Sequence, residues 1–229
     1  MLTLEWQDWA DKFSTLKAGH ILWDGTAKNP SDPRLAVTTS RHFCQHVGSF
    51  GFLEPGNHIL DVGCGNGRLC IGLTEYDITY EGFDTEKPCI DFCNTTFADY
   101  PQFKFQYVDV AAYSNAKGQT PASQFIFPYE DNSFDTVIVY SVFTHLCDYE
   151  SADNYMKQIK RVLKPGGKIF CTWYRSPPNP ATDFFGRTTY YEAQIMNLMQ
   201  GFWALQTYGG HSTKYFDQWV ILAYLTEGL

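Results

Sequence analysis

The sequence predicts an α/β fold in which a mostly parallel sheet carries helices and closes with an antiparallel pair of strands. Three observations lead there. Short apolar, β-branched segments alternate five times with helical patterns. The stretch His58 to Leu69, HILDVGCGNGRL, passes from strand through a glycine-rich turn into a helix, the first half of a βαβ unit. The last two β-rich segments are joined by GGHSTKYFD alone, too short for a crossover helix, so they pair antiparallel.

Taken in order, Leu2, Trp6, Trp9, Phe13 and Leu16 fall on one face of a helix of about four turns, which Gly19 ends. That stripe either packs against the domain or lies as a lid over a pocket. His20 to Arg34, with Trp23-Asp24-Gly25 and two prolines, reads as an irregular loop, and a helix follows at about Leu35 to Val47. Residues 1–52 thus form an N-terminal helical cap or lid on a body formed by 53–229, within one structural domain.

Beyond the glycine turn and its helix, Ile78 to Phe83 is a second strand ending at Asp84. Thr85 can cap the next helix, with Pro88 in its first turn and its end near Ala98. Phe103 to Val108 is a third strand, followed by Asp109. Ala111 to Phe127 is polar and aperiodic, an insertion with room for a short helix. Asp131-Asn132-Ser133 turns into Phe134 to Tyr140, a β-branched fourth strand. Tyr155, Met156, Ile159, Val162 and Leu163 form a helical stripe that stops at Lys164-Pro165-Gly166-Gly167, before a fifth strand over Lys168 to Trp173. Arg175 to Arg187 is a proline-containing loop. Thr189 to Glu192 has capping-box spacing for a helix to about Gln200, and Phe202 to Tyr208 with Gln218 to Leu225 are the closing pair.

Composition narrows the partners. With 229 residues, 44% apolar and 18% charged, the chain can bury a full core. A net charge of −8 without a basic cluster argues against nucleic acid and for a small-molecule substrate. No apolar run approaches the ~20 residues that span a bilayer, so no membrane partner is expected. The first residues carry acids and lack a basic-then-apolar signal pattern. Seven cysteines without a C-x-x-C pair read as reduced thiols in a cytoplasmic protein, not as disulfides or a zinc site. No catalytic triad spacing and no metal-ligand set stands out, and the oligomeric state is not legible.

The glycine turn carries the chemistry. Alternating glycines let the backbone approach a ligand, and a helix start offers unpaired N–H groups. A dinucleotide-binding loop would place its third glycine where Arg68 stands; here the run is G-x-G-x-G, with Asp61 two residues ahead of Gly63. Asp84, at the tip of the second strand, is placed to accept hydrogen bonds from ribose hydroxyls or to serve as a helix N-terminal carboxylate. Ser141 to His145 follows the fourth strand at its carboxyl end, where ligand sites of α/β sheets lie.

The run DVGCGNG resembles motif I of the class I S-adenosylmethionine (AdoMet) methyltransferases. FPYEDNSFDTVIVY and RVLKPGGKIFCTW resemble further stretches of the small-molecule members, and the likeness covers about Leu53 to Leu225. It implies a single doubly wound, mostly parallel seven-stranded sheet with helices on both faces and an antiparallel C-terminal hairpin. It also implies AdoMet as cofactor, S-adenosylhomocysteine (AdoHcy) as product, and methyl transfer to oxygen or nitrogen of a small molecule. By the resemblance Asp61, Gly63, Cys64, Gly65, Asn66 and Gly67 surround the methionine part. Asp84 takes the ribose, Asp109 and Val110 the adenine, and Thr85 and Ser141 complete the cofactor-binding set. A hydroxyl acceptor needs a base, whereas an amine need only be neutral. His145 is the first candidate base and His211, in the last hairpin, the second. His20, Trp23, His145 and Tyr174 are expected around the substrate. Two other readings remain: aminopropyl transfer from decarboxylated AdoMet, and a cofactor-binding or interaction module that keeps the fold without turnover. The aminopropyltransferases usually carry acids beyond the fourth strand, where this chain has Ser-Val-Phe-Thr-His.

Overall fold

The computed structural model describes residues 4–14, 33–111, 118–146, 148–175, 188–212 and 217–226. In chain order the helices are α1 (Leu4–Ser14), α2 (Pro33–Gly48), α3 (Cys70–Leu73), α4 (Lys87–Thr96), α5 (Tyr149–Val162) and α6 (Glu192–Leu198). The strands are β1 (His58–Val62), β2 (Thr79–Asp84), β3 (Phe103–Tyr107), β4 (Val110–Ala111), β5 (Thr120–Pro121), β6 (Phe134–Val139), β7 (Leu163–Arg175), β8 (Phe202–Ser212) and β9 (Asp217–Leu225).

Seven of the strands form one sheet in the order β3-β2-β1-β6-β7-β9-β8, while β4 and β5 make a separate parallel pair. The five strands from β3 to β7 are parallel, and β9 runs antiparallel to both β7 and β8. This is the doubly wound plan expected from the sequence. The chain moves outward from β1 to β3 and then crosses back to lay β6 on the other side of β1. Order therefore reverses between β1 and β6, and their carboxyl ends splay into a crevice.

Alternation along the strands divides the core in two. Ile59, Tyr80, Phe103, Ile138 and Phe170 face the side covered by α1 to α4. Leu60, Val62, Val137, Val139 and Ile169 face the side covered by α5 and α6. On the first side Trp9 of α1 lies 5.0 Å from Phe97 and Phe13 lies 5.2 Å from Phe92, ring centroid to centroid. The core there is continuous from α1 and α2 into the sheet. On the second side the stripe Tyr155, Met156, Ile159 and Val162 is buried, and Asp148 caps α5 by accepting from the Ser151 N–H at 2.7 Å.

The described part of α1 covers three turns, and Leu2, Leu16 and Gly19 of the expected helix lie outside the described residues. Several local expectations are corrected. Thr85 does not cap α4: the cap position is Glu86, without a side-chain bond, and the carboxylate of Asp84 accepts from the Glu86 N–H at 2.8 Å. Lys164 to Gly167 does not separate helix from strand. It is a bulge inside β7, since Phe134 pairs with Leu163 and Thr136 already with Lys168. The capping contact of α6 is two residues along from the expected pair, Gln194 Oε1 accepting from the Tyr191 N–H at 2.9 Å. In the 111–127 insertion, Asn154 of α5 donates to the carbonyls of Ala122 and Phe125 at 2.9 and 2.8 Å, fixing a 3₁₀ turn over Ala122–Gln124.

Candidate functional site

At the reversal point the structure has a cavity of about 240 Å³. Its floor is Val62 and Phe83, from the ends of β1 and β2. One wall is Gly63 and Gly65 with Asp84, Thr85 and Glu86. The opposite wall is Tyr140, Ser141, Val142, His145 and Leu146, and Tyr155 reaches in from α5.

The glycine wall is built by backbone sterics. Gly63, Gly65 and Gly67 all have positive φ, at 73°, 56° and 72°. A Cβ on Gly63 would meet Val142 Cγ2 at 2.5 Å, whereas one on Gly65 would meet nothing within 4 Å. Gly63 is therefore glycine because the opposite wall is close, and Gly65 opens onto free space. The N–H groups of Gly63 and Cys64 both donate to the Phe83 carbonyl, at 2.9 and 3.0 Å. The Gly65 N–H donates to Asp84 Oδ2 at 2.7 Å.

Asp84 thus braces the loop with one oxygen and the α4 entrance with the other. Burial raises its pKa, against the pull of the Glu86, Gly65 and Thr85 N–H groups. A carboxylate has about four acceptor positions, so lone pairs remain for a ligand. This open cradle, and an acid whose acceptor positions are not all taken, fit the nucleoside and amino-acid parts of a cofactor such as AdoMet.

The opposite wall is held from β7. Ser141 has φ of 62°, rare for a residue other than glycine; its N–H donates to Thr172 Oγ1 at 2.7 Å, and its carbonyl accepts from Thr144 Oγ1 at 3.0 Å. Such a conformation persists only where its surroundings impose it. Phe143 stacks on Trp173 with centroids 3.8 Å apart, and the Tyr190 hydroxyl donates to the Phe143 carbonyl at 2.9 Å. The 3₁₀ turn that presents His145 is anchored by these contacts.

Of the residues expected at the site, Gly63, Gly65, Asp84, Thr85, Ser141 and His145 come together around this cavity. Asp61 does not line it. It is 2% exposed on the other side of β1 and accepts from the Tyr80 hydroxyl at 2.9 Å. Cys64, Asn66 and Gly67 are buried beneath the loop, and burial pushes the Cys64 thiol up, which leaves it un-ionised. Asp109 is exposed and Val110 fully buried, and neither lines the cavity. Tyr174 is a correction with a simple cause. Strand β7 runs on to Arg175, so Tyr174 is a buried ladder residue paired with Gln218, not the start of a loop. His211 falls on β8, three strands across from β6 or ~14 Å at the usual strand spacing; its side chain is outside the described residues, as are His20 and Trp23. Among the described residues, no group of three or more His, Cys, Asp or Glu is placed to hold a metal ion.

Val62, Phe83, Glu86, Tyr140, Leu146 and Tyr155 are site residues that the sequence did not reveal. Tyr155 sits on the apolar stripe of α5, and periodicity says only that such a residue faces inward.

Burial pushes the Asp61 pKa from 3.8 to about 7; the Tyr80 hydroxyl and the Arg68 charge offset this only partly, and the Asp84 charge adds to it. The native state therefore holds this proton where the unfolded chain has released it. Between about pH 4 and pH 7 the group's contribution to stability declines as pH rises, by at most about 1.4 kcal/mol per pH unit. Asp61→Asn is expected to flatten this slope, gaining on the wild type towards pH 7; urea unfolding across that range reads it.

Comparisons with known proteins bear on this arrangement. A sequence model of the family described as "Methyltransferase domain" matches residues 60–171. An uncharacterized methyltransferase of Schizosaccharomyces pombe is 28% identical over 122 residues, which are 52% of this chain and 41% of that protein. Phosphoethanolamine N-methyltransferase 3 of Arabidopsis thaliana is 29% identical over 135 residues, 58% of this chain and 24% of that one. The chain thus spans less than half the length of either relative. Among solved structures, magnesium protoporphyrin IX methyltransferase from Synechocystis PCC 6803 with bound SAM (S-adenosylmethionine) superposes with a TM-score of 0.62 and 18% identity, over 98% of both chains. At that identity the likeness is one of fold.

Proposed function

We propose that the chain is a methyltransferase of the class I, Rossmann-like family and transfers a methyl group from AdoMet to oxygen or nitrogen of a small molecule, a reading that the match of residues 60–171 to the methyltransferase domain model supports. The observation that carries this reading is the convergence of the Gly63–Gly65 backbone and the Asp84 carboxylate on one cavity at the reversal point of the sheet. In this reading Asp84 and Thr85 hold the ribose, and Gly63, Gly65 and Ser141 hold the amino-acid end. AdoMet supplies a methyl group already activated by its sulfonium. The protein's work is then to align the acceptor in line and keep water away. His145, the described histidine on the cavity wall, orients the acceptor and takes its proton when that acceptor is a hydroxyl.

Residues 1–52 act as a cap on the domain. The net charge of −8 speaks for a small molecule rather than a nucleic acid, and the six described cysteines, all buried free thiols, speak for a reducing, cytoplasmic setting. No helix among the described residues is long and apolar enough to cross a membrane.

The test is calorimetric titration of the protein with AdoMet, AdoHcy and decarboxylated AdoMet, followed by transfer of labelled methyl groups to panels of phenols, carboxylic acids and amines. Saturable AdoMet and AdoHcy binding with transfer to at least one panel is the expected result. Preference for decarboxylated AdoMet would replace the proposal with aminopropyl transfer, and no binding of any of the three would remove the cofactor.

A further inference from the structure

The cavity lining includes a polar group that the proposed function leaves unused. Tyr155 is 3% exposed, its ring packed against Phe127 and Phe125 at centroid distances of 5.2 and 6.2 Å, yet it lines the cavity beside Phe83 and Leu146. Among the described residues no hydrogen-bond partner is found for its hydroxyl. The oxygen is also not sealed off, because it does not belong to the buried polar atoms that lack a partner. A phenol in an otherwise apolar core usually gives its O–H a partner, because leaving it unpaired costs free energy. Here the space it faces is the cavity itself.

Two further observations say what would fill that space. The hydroxyl shares the cavity with the Asp84 carboxylate; burial first, and that charge second, keep the phenol protonated, so Tyr155 acts as a donor. Phe83, Leu146 and Tyr155 line the same cavity as Asp84, and Asp109 and Val110, the residues the family pattern would give to the base, do not. A flat heteroaromatic ring with an acceptor nitrogen suits a lining that joins aromatic and aliphatic side chains to a phenol O–H.

We propose that Tyr155 is the base-recognition residue of this site, its hydroxyl donating a hydrogen bond to a ring nitrogen of the cofactor's adenine. The assignment rests on the AdoMet reading of the cavity, which it extends to a residue on the helix behind the sheet. It gives α5 a binding role in addition to its packing role.

Tyr155→Phe removes one oxygen and keeps the ring contacts with Phe125 and Phe127, so it is expected to fold with an unchanged Tm. AdoHcy should bind it about three- to tenfold more weakly than the wild type, the range of one net hydrogen bond. The discriminating probes are AdoHcy analogues in which each purine ring nitrogen is replaced in turn by CH. One of them should bind the wild type more weakly than AdoHcy does, yet bind Tyr155→Phe no worse than AdoHcy does. A residue that only packs would lower affinity for every analogue alike, and that result would overturn the proposal. So would equal AdoHcy affinity in the two proteins. If the wild type binds no AdoHcy at all, the cofactor reading itself fails first, and the base assignment falls with it.

Discussion

Asp84→Ala is expected to leave no measurable AdoMet or AdoHcy binding at concentrations that saturate the wild type. Its carboxylate already accepts from the N–H groups of Gly65 and Glu86 at 2.7 and 2.8 Å. In the proposed complex the two ribose hydroxyls share the acceptor capacity that the backbone N–H groups of Gly65, Thr85 and Glu86 leave. Hydrogen bonds to a charged group contribute about 1.5–3 kcal/mol each, so losing two corresponds to about 10²- to 10⁴-fold in affinity. The loop also loses its brace, which adds to the loss of binding.

Asp84→Asn separates these effects. One oxygen becomes an NH₂ that cannot accept from its backbone donor, so affinity should fall to a value between the wild type and Asp84→Ala. Wild-type affinity should also weaken as pH drops through the raised pKa of Asp84, because only the ionised carboxylate accepts both hydroxyls. Calorimetry at several pH values reads both trends. Full binding by Asp84→Ala would mean that the acid is a structural strut and that the ribose lies elsewhere.

The second large effect is a contrast between two glycines of one turn. Gly63→Ala puts a methyl group 2.5 Å from Val142 Cγ2 at a φ of 73°. The left-handed conformation costs about 1–2 kcal/mol by itself, and relieving the clash must push the Val142–Leu146 wall outward. Both Tm and cofactor affinity should fall. A second substitution, Val142→Ala, should return part of both losses, in the manner of coupled neighbours. Gly65→Ala carries the similar backbone cost but no clash, since nothing stands within 4 Å of its added methyl. That methyl projects into the space kept for the ligand, so binding should suffer more than stability. Equal stability losses with unchanged binding in the two variants would place the ligand away from this loop.

Much of the fold was legible because local chemistry dictates it. The apolar runs of β1 and β6, the glycine turn after Val62 and the short link between β8 and β9 each specify their own geometry. The sheet follows from their order, given the short, right-handed connections that chains prefer. The boundaries were less legible where a tertiary partner sets them. Strand β7 continues past Trp173 because β9 pairs with it as far as Arg175. Helix α4 starts after Glu86, not at Thr85, because Asp84 takes the capping role through its neighbour's N–H.

The site divides along the same line. Asp61 and Asp84 look alike in sequence, each an acid in or at the end of a strand beside glycine. Strand alternation and the pairing of Asp61 with Gly82 bury the first under the Tyr80 hydroxyl, while the second stands at the open end of β2. The sequence alone therefore determined the class of fold, the glycine cradle and the acid at the tip of the second strand, since each follows from residues adjacent in the chain. The tertiary structure alone decided which acid reaches the cavity, why Ser141 can hold a left-handed backbone, and that Tyr155 carries a hydroxyl into the site. Those outcomes depend on contacts between residues about 15 to 30 positions apart, formed only when strands and helices pack.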